Sequence, residues 1–286
     1  MDASILICTR NRAASLQRSL ERLAALRIPA DKTWEVIVAD NASTDATPAV
    51  IASFAGRLPI RRVVEPIAGL SRARNMAVRH ACGGVILFTD DDCLVAPDWV
   101  ATALRLLEAN PLQLIGGRIE LFDPEALPLA VRTSPDREVL RHYSNSVGFI
   151  HGANLAFGRG VVDRVGPFDV RLGPGSATGS GEDADFVYRV LCAGMPVVYE
   201  PALLVHHDHG RKGRATWYRQ VGEHAQGFGA LAAKYLARGD IRPLRTAYWD
   251  FRATVRMFGH DRREWRRVAA RLRVISGFFL YYAART

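Results

Sequence analysis

Val85-Ile86-Leu87-Phe88-Thr89-Asp90-Asp91-Asp92-Cys93 runs from an apolar strand directly into three consecutive carboxylates. A buried strand cannot carry unpaired charge into a core, so the acids belong at its exit, facing water, a cation or a polar ligand. Side chains alternate in extended chain, which turns Asp90 and Asp92 to one side and lets them share one divalent metal. A solvated acidic turn capping the helix after Pro97 explains the same residues equally well, so the neighbouring segments must decide.

Upstream, apolar runs and helical patterns alternate. Ile5 to Cys8 reads as a strand, followed by Leu16, Leu20 and Leu23 at helical spacing. Trp34 to Ala39 is a second strand and Ala46 to Phe54 a helix with Pro48 in its first turn. Arg62 to Val64 is a short strand and Leu70 to His80 a helix that leads into Val85 to Thr89. Such alternation implies crossover units and an α/β fold: a mostly parallel central sheet with helices on both faces. Ligands in these sheets bind beyond the carboxyl ends of the strands. Thr9-Arg10-Asn11-Arg12, Asp40 to Asp45 and Asp90 to Asp92 should therefore open onto one sheet edge.

Downstream, Trp99 to Leu107 reads as a helix, and Leu114 to Leu121 and Asn154 to Phe157 as strands. Residues 122–145 carry three prolines and read as a long loop. Residues 173–181 form a Gly-rich segment before a helix from Glu182 to Ala193, and from Ala215 onward the pattern is helical. The expected division is a catalytic body over 1–210, with halves 1–95 and 96–210, and a helical C-terminal extension over 211–286.

The chain has 286 residues and a net charge of +9. Residues 211–286 hold 17 Lys and Arg against 5 Asp and Glu, so the basic character belongs to that quarter alone. A near-neutral body and a basic tail suggest chemistry in the first and an anionic surface for the second. No apolar run of about 20 residues is present to span a bilayer. The apolar start at Ser4 lacks a basic leader, and the four scattered cysteines form no CxxC pair. A cytoplasmic protein, peripheral on the inner face of the membrane if its tail binds lipid, is the expectation.

The strand exits carry the chemistry. Thr9, Arg10, Asn11 and Arg12 set a hydroxyl, an amide and two guanidiniums at a helix N-terminus, a combination that favours phosphate or a nucleobase edge but also serves as a cap. Asp40 can accept from a base or ribose, or can close a capping turn with Ser43. Ser71, Arg72, Arg74 and Asn75 add donors. Two carboxylates among guanidiniums suit a Mg or Mn diphosphate, and no Gly-rich phosphate loop is present to replace the metal. Glu182 and Asp183, at a helix N-terminus behind the Gly-rich segment, can supply a base opposite a leaving group or simply complement the helix dipole. The apolar segment Ala202 to Val205 ends in His206-His207-Asp208-His209, where His207 and His209 share a face and can meet metal or diphosphate. Arg211, Lys212 and Arg214 can close over phosphate or belong to the tail.

Four of these segments, Ser4 to Arg12, Val38 to Asp45, Gly69 to Asn75 and Phe88 to Asp92, resemble in order and spacing the nucleotide-binding half of glycosyltransferase family 2, which has the GT-A fold. The resemblance continues through Gly152 to Phe157, Val165 to Asp169 and Gly181 to Phe186, and covers about residues 3 to 210. It implies Asp92 as the principal metal ligand, Asp90 as a ribose or metal contact, Asp91 as a supporting acid and Asp40 at the base. Asn41 stands where the family often has a second acid. Similarity to the family's Glu-Asp motif makes Asp183 the preferred base, with Glu182 positioning the acceptor, and His207 matches the family's histidine.

The implied activity is a metal-dependent inverting transfer from a nucleotide sugar, with a UDP-sugar expected, to the hydroxyl of a glycan or lipid-linked acceptor. A sugar-phosphate nucleotidyltransferase, a phosphatase with a nucleophilic Asp, and a non-catalytic module binding membrane or nucleic acid are the alternatives. The first would carry a glycine-containing loop at Thr9 to Arg12; the basic tail permits the last, but the presence of every acid needed for transfer argues against it and against nucleic acid as a partner. In the tail, Trp265, Val268, Leu272, Ile275, Phe279 and Tyr282 form an apolar stripe, with Arg262, Arg263, Arg266, Arg267 and Arg273 largely opposite. Such a helix over 262–282 can lie in a membrane interface or dock on the body.

Overall fold

A computed structural model describes residues 1–141, 148–245 and 269–284, together with Tyr248 and Arg252. Strand and helix alternate through β1 (Ala3–Thr9), α1 (Ala13–Leu23), β2 (Trp34–Asp40), α2 (Thr47–Ser53), β3 (Ile60–Val64), α3 (Leu70–His80) and β4 (Val85–Asp90). These four strands run parallel in the order β3-β2-β1-β4. Their period-two alternation divides the core: Ile5, Ile7, Val36, Val38 and Leu87 pack with Leu16 and Leu20 of α1 on one face. Leu6, Ile37, Ile86 and Phe88 pack with Ala73 and Ala77 of α3 on the other.

The second half contains β5 (Cys93–Val95), α4 (Trp99–Ala109), β6 (Leu114–Leu121), β7 (Glu138–Val139), β8 (Asn154–Gly158) and α5 (Gly160–Val165). It continues through α6 (Glu182–Cys192), β9 (Val197–His207), α7 (Arg214–Leu236) and α8 (Arg273–Ala283). β8 joins β4 antiparallel and extends the sheet as β8-β6-β9-β5, while β7 pairs with β9. The apolar segment read at 202–205 is therefore the end of a strand that begins at Val197. Gly117 pairs with Glu200 and Arg118 with Leu204, so residues 201–203 bulge out of the ladder. Pro201 sits in that bulge, where no amide hydrogen is required. The register also sets Cys93 opposite His207, which brings the end of the histidine strand to the acidic turn.

Asn154 holds this junction together. Its Nδ2 donates to the carbonyls of Arg118 at 3.0 Å and Leu203 at 2.8 Å, and its Oδ1 accepts from Trp99 Nε1 at 2.9 Å. A Cβ on Gly117 would lie 2.1 Å from both Asn154 Nδ2 and the Leu203 carbonyl, so the bulge requires glycine there.

The C-terminal helices dock on the body. Gly229 of α7 and Gly277 of α8 allow close backbone approach, since a Cβ on either would meet the facing helix backbone at 1.8 or 1.7 Å. Gly277 and Tyr281 face inward on α8, whereas Leu272, Ile275, Phe279 and Tyr282 are exposed. Trp265, Val268 and the arginines expected at 262, 263, 266 and 267 lie outside the described residues, as do 142–145 of the expected loop. No described helix is long and apolar enough to cross a membrane.

Candidate active site

The parallel strands deliver their exits to one sheet edge. Thr9 Oγ1 donates to Asp91 Oδ2 at 2.6 Å. The Arg12 guanidinium bridges two acids, with Nε 2.8 Å from Asp91 Oδ1 and Nη2 2.6 Å from Asp92 Oδ2. Asn11 adopts φ 54° and links the first two exits, accepting from the Thr44 amide at 2.7 Å and donating its own amide hydrogen to Ser43 Oγ at 3.0 Å. Arg10 is exposed beside them.

β4 ends at Asp90 and the chain turns through Asp91 and Asp92 before β5, so simple alternation does not govern the acids. The partner of Asp92 is His207, whose Nε2 lies 3.1 Å from Asp92 Oδ1 with both side chains buried. Ligand atoms of Asp92, Cys93 and His207 fall within 4.8 Å of one another. Burial holds the Cys93 thiol far above its ordinary pKa, leaving carboxylate and imidazole as the useful donors. That pair suits Mn or Mg, and the buried His207 Nδ1 has no hydrogen-bond partner to fix the ring otherwise. Burial would raise Asp92, but His207 and Arg12 hold it down at about 2. Asp91, pushed by burial against the opposing Arg12, rises to about 7. Burial also raises Asp90, opposed by Arg74 and reinforced by the charge of Asp92.

Asp40 is wholly buried. Its Oδ1 accepts the Ser43 amide at 2.9 Å, and its Oδ2 accepts Arg62 Nε at 2.8 Å and Nη2 at 2.6 Å. Burial opposes ionisation, yet the Ser43 and Arg62 hydrogen bonds keep its pKa below the usual carboxylate range. Asn41 spans the next loop, donating to the carbonyls of Glu65 and Ile67 and accepting the Gly69 amide.

Helix α3 ties the two halves together. Ser71 Oγ donates to the Leu172 carbonyl at 2.7 Å, and Asn75 exchanges two hydrogen bonds with the backbone of Phe168. These two donors are thus committed to the backbone at Phe168 and Leu172. Arg74 is buried, with Nη1 2.9 Å from Glu182 Oε1. Its charge also acts on Asp90 and Asp183, so one guanidinium serves both sides of the site.

Glu182 and Asp183 open α6. Asp183 Oδ2 accepts the Gly152 amide at 3.2 Å and its Oδ1 accepts the Ala184 amide at 2.7 Å. Burial, then the neighbouring charge of Asp183, raise Glu182 to about 7 in spite of Arg74. A Cβ on Gly152 would lie 2.2 Å from Arg74 Nη2, so a larger residue there would displace the guanidinium.

Sequence reasoning missed His151, whose pKa burial lowers while Asp183 acts in the opposite direction. Its only signal was adjacency to the Gly-Ala-Asn segment. Lys212 is engaged with Asp123 at 3.0 Å and Glu125 at 2.9 Å.

Residues 4–166 match the model of the family described as glycosyl transferase family 2. The pre-mycofactocin glycosyltransferase of Mycobacterium tuberculosis is 30% identical over 73% of this chain and 43% of its own length. Validoxylamine A glucosyltransferase of Streptomyces hygroscopicus subsp. jinggangensis is 32% identical over 68% and 52%. Glycosyltransferase AglE of Haloferax volcanii is 25% identical over 68% and 63%. The chain thus spans 43% to 63% of the length of these curated relatives.

In fold, it is similar to the mannosyltransferase PcManGT of Pyrobaculum calidifontis, solved with GDP-Man and Mn2+, at a TM-score of 0.67 and 20% identity over 98% of this chain and 86% of that one. TarS 1-349 of S. aureus, solved with UDP-GlcNAc, aligns at 0.59 and 15% identity over 99% and 91%. The architecture is the GT-A fold of these neighbours.

Proposed function

The chain belongs to glycosyl transferase family 2, and on that premise we propose that it moves a sugar from a nucleotide sugar, with a UDP-sugar as the expected donor, to a hydroxyl of a glycan or lipid-linked acceptor with inversion at the anomeric carbon. The observation that carries this proposal is the opposition of two acid groups about Arg74: Asp90 to Asp92 at the strand exits, and Glu182 with Asp183 at the head of α6.

Asp92 and His207 would hold Mn or Mg, with Asp90 beside them. A cation bound there supplies charge to the departing diphosphate. Arg12 would follow the same diphosphate, since its hydrogen bond to Asp92 and its ion pair with Asp91 end on the acids that would face it. Thr9 holds Asp91 behind the site, Arg10 and Asn11 would meet base and ribose, and the buried Asp40 would serve the base through the Ser43 loop and Arg62 that it orders. On the other side, Asp183 accepts the proton of the acceptor hydroxyl as that oxygen attacks the sugar carbon from the face opposite the diphosphate. The Gly152 amide fixes its second oxygen. Glu182, anchored on Arg74, orients the acceptor. The ligands named in the PcManGT and TarS structures support a nucleotide-sugar donor and a divalent cation.

The exposed part of the C-terminal stripe, Leu272, Ile275, Phe279 and Tyr282, supports peripheral contact with an anionic lipid surface, which would suit a lipid-linked acceptor. Flotation with phosphatidylglycerol vesicles tests that contact: Phe279→Glu should weaken binding, and equal binding by the variant would remove the stripe from it.

The catalytic proposal is tested by a thermal-shift screen of nucleotide sugars with Mn, followed by product analysis. Release of nucleoside diphosphate with transferred sugar is expected. Release of pyrophosphate or of inorganic phosphate would instead identify nucleotidyl transfer or phosphatase chemistry.

A further inference from the structure

Lys234 lies near the end of α7 with only 4% of its side chain exposed, an unusual place for an ammonium. Its Nζ is 2.9 Å from Asp169 Oδ2 and 2.6 Å from Asp185 Oδ1. Asp169 also pairs with Arg171 Nη2 at 3.0 Å and accepts from Tyr281 of α8 at 3.1 Å. Asp185 pairs with Arg189 Nε at 2.9 Å and accepts from Tyr235 at 2.9 Å. Each of the two carboxylates is thus met by several cationic or hydroxyl donors, as buried ions require.

Asp185 stands two residues after Asp183, in the same first turn of α6, and its amide donates to the Gly181 carbonyl at 3.0 Å. The segment leading into that turn is held by the same helix. Ser180 Oγ donates to the Glu223 carbonyl at 2.8 Å, and Gln226 Nε2 to the Ala177 carbonyl at 2.9 Å. Gly181 has φ 101°, and a Cβ there would lie 3.0 Å from the Gly227 carbonyl oxygen. Helix α7 therefore grips the Gly-rich segment and the α6 first turn at several points, and among the described residues the ionic link between them is Lys234.

We propose that Lys234 is a positioning residue for Asp183: by clamping Asp185 to Asp169, it fixes the first turn of α6 so that the Asp183 carboxylate stays oriented on the Gly152 amide. A buried ion cluster is a poor source of stability compared with apolar packing of equal volume, whereas its directional bonds fix geometry. The clamp rests on the assignment of Asp183 as the base, and it gives the C-terminal helices a part in the chemistry of the body.

The test uses the full chain with Lys234→Met, Lys234→Arg, Tyr235→Phe and Asp183→Asn. Nucleoside diphosphate release is followed with Mn and whichever of UDP-glucose, UDP-GlcNAc or GDP-mannose turns over, alongside hydrogen exchange of residues 173–185. Lys234→Met should lower kcat by up to about 100-fold, as expected for a group displaced by about 1 Å. The donor KM should stay within about threefold, Lys234→Arg should restore part of kcat, and exchange over 173–185 should accelerate. Tyr235→Phe removes one hydroxyl, leaves the ion pairs in place and should shift kcat and exchange the same way by less. It decides the matter if Lys234→Met does not fold, and hydrogen exchange decides it if none of the three donors turns over.

Wild-type kcat and exchange in folded Lys234→Met or in Tyr235→Phe would overturn the positioning role. So would a kcat loss that merely tracks the folded fraction. Wild-type turnover in Asp183→Asn would instead overturn the base assignment on which the clamp depends.

Discussion

Arg74 Nη1 lies 2.9 Å from Glu182 Oε1, and with 3% and 7% of their side chains exposed the two form a buried ion pair between α3 and the head of α6. The Arg74 guanidinium also lies over Phe88 at 5.8 Å and Phe168 at 5.4 Å, so its loss removes packing as well as charge. Arg74→Ala should destabilise the protein by about 3–5 kcal/mol, the range for stranding one partner of a buried pair. Urea unfolding measures this. In the Arg74→Ala, Glu182→Ala cycle the double variant should lose less than the sum of the singles, and strict additivity would mean that the pair is not coupled.

Asn154 satisfies two carbonyls of the β6–β9 bulge and the Trp99 indole at once. Asn154→Ala leaves all three groups buried without partners, and a loss of about 3 kcal/mol or more is expected. Chemical denaturation reads it directly. A change below about 1 kcal/mol would show that water or a relaxed bulge replaces the amide.

Asp169 gives the pH dependence. Burial raises its pKa, but Arg171 and Lys234 more than offset this and hold the folded value below the ordinary 3.8. The unfolded chain therefore takes up the proton first as pH falls. Its stabilisation is complete above about pH 5 and is lost as pH drops through 3.8 toward the folded value. Melting temperatures between pH 3 and 7 should decline less steeply in Asp169→Asn than in wild type, from a lower value at pH 7. Parallel curves would separate Asp169 from the acid transition.

Gly229 and Gly277 let α7 and α8 touch through their backbones. Gly277→Val should force α8 outward and break the Tyr281 contact to Asp169, at a cost of about 1–3 kcal/mol for overpacking. Faster proteolytic cleavage within α8 is the expected sign, and wild-type resistance would contradict the packing.

The first half of the fold was legible because its signals are local. β1, β2 and β4 are largely apolar runs of six or seven residues ending in polar exits, and Leu16, Leu20 and Leu23 mark α1 by spacing alone. β5, β7 and α5, of three, two and six residues, are too short to carry a period. β9 was visible only over 202–205 because Pro201 interrupts it, and the bulge that accommodates Pro201 depends on pairing with β6.

The same division runs through the site. Thr9, Arg12, Asp90 to Asp92, Glu182 and Asp183 stand out by residue type at element ends. Alternation alone put Asp90 with Asp92; the chain turns after Asp90, the two charges still act on each other, and the expected His207 meets Asp92 through the β5–β9 register, which no local pattern displays. Ser71 and Arg72 looked alike as donors, yet Ser71 is buried against Leu172. Lys234 was hidden because a lysine in a helix ordinarily reaches solvent, and only the folded arrangement of Asp169 and Asp185 makes it internal.

The central proposal is a division of labour between Asp92, which holds the leaving group through its cation, and Asp183, which activates the acceptor. Calorimetric titration of UDP with Mn into Asp92→Ala and Asp183→Asn, paired with sugar transfer by the same preparations, tests it most directly. Asp183→Asn should bind UDP within about threefold of wild type while losing transfer by about 100-fold or more, and Asp92→Ala should lose Mn-dependent UDP binding. Transfer at the wild-type rate in Asp183→Asn, or undiminished Mn-dependent binding in Asp92→Ala, would contradict it.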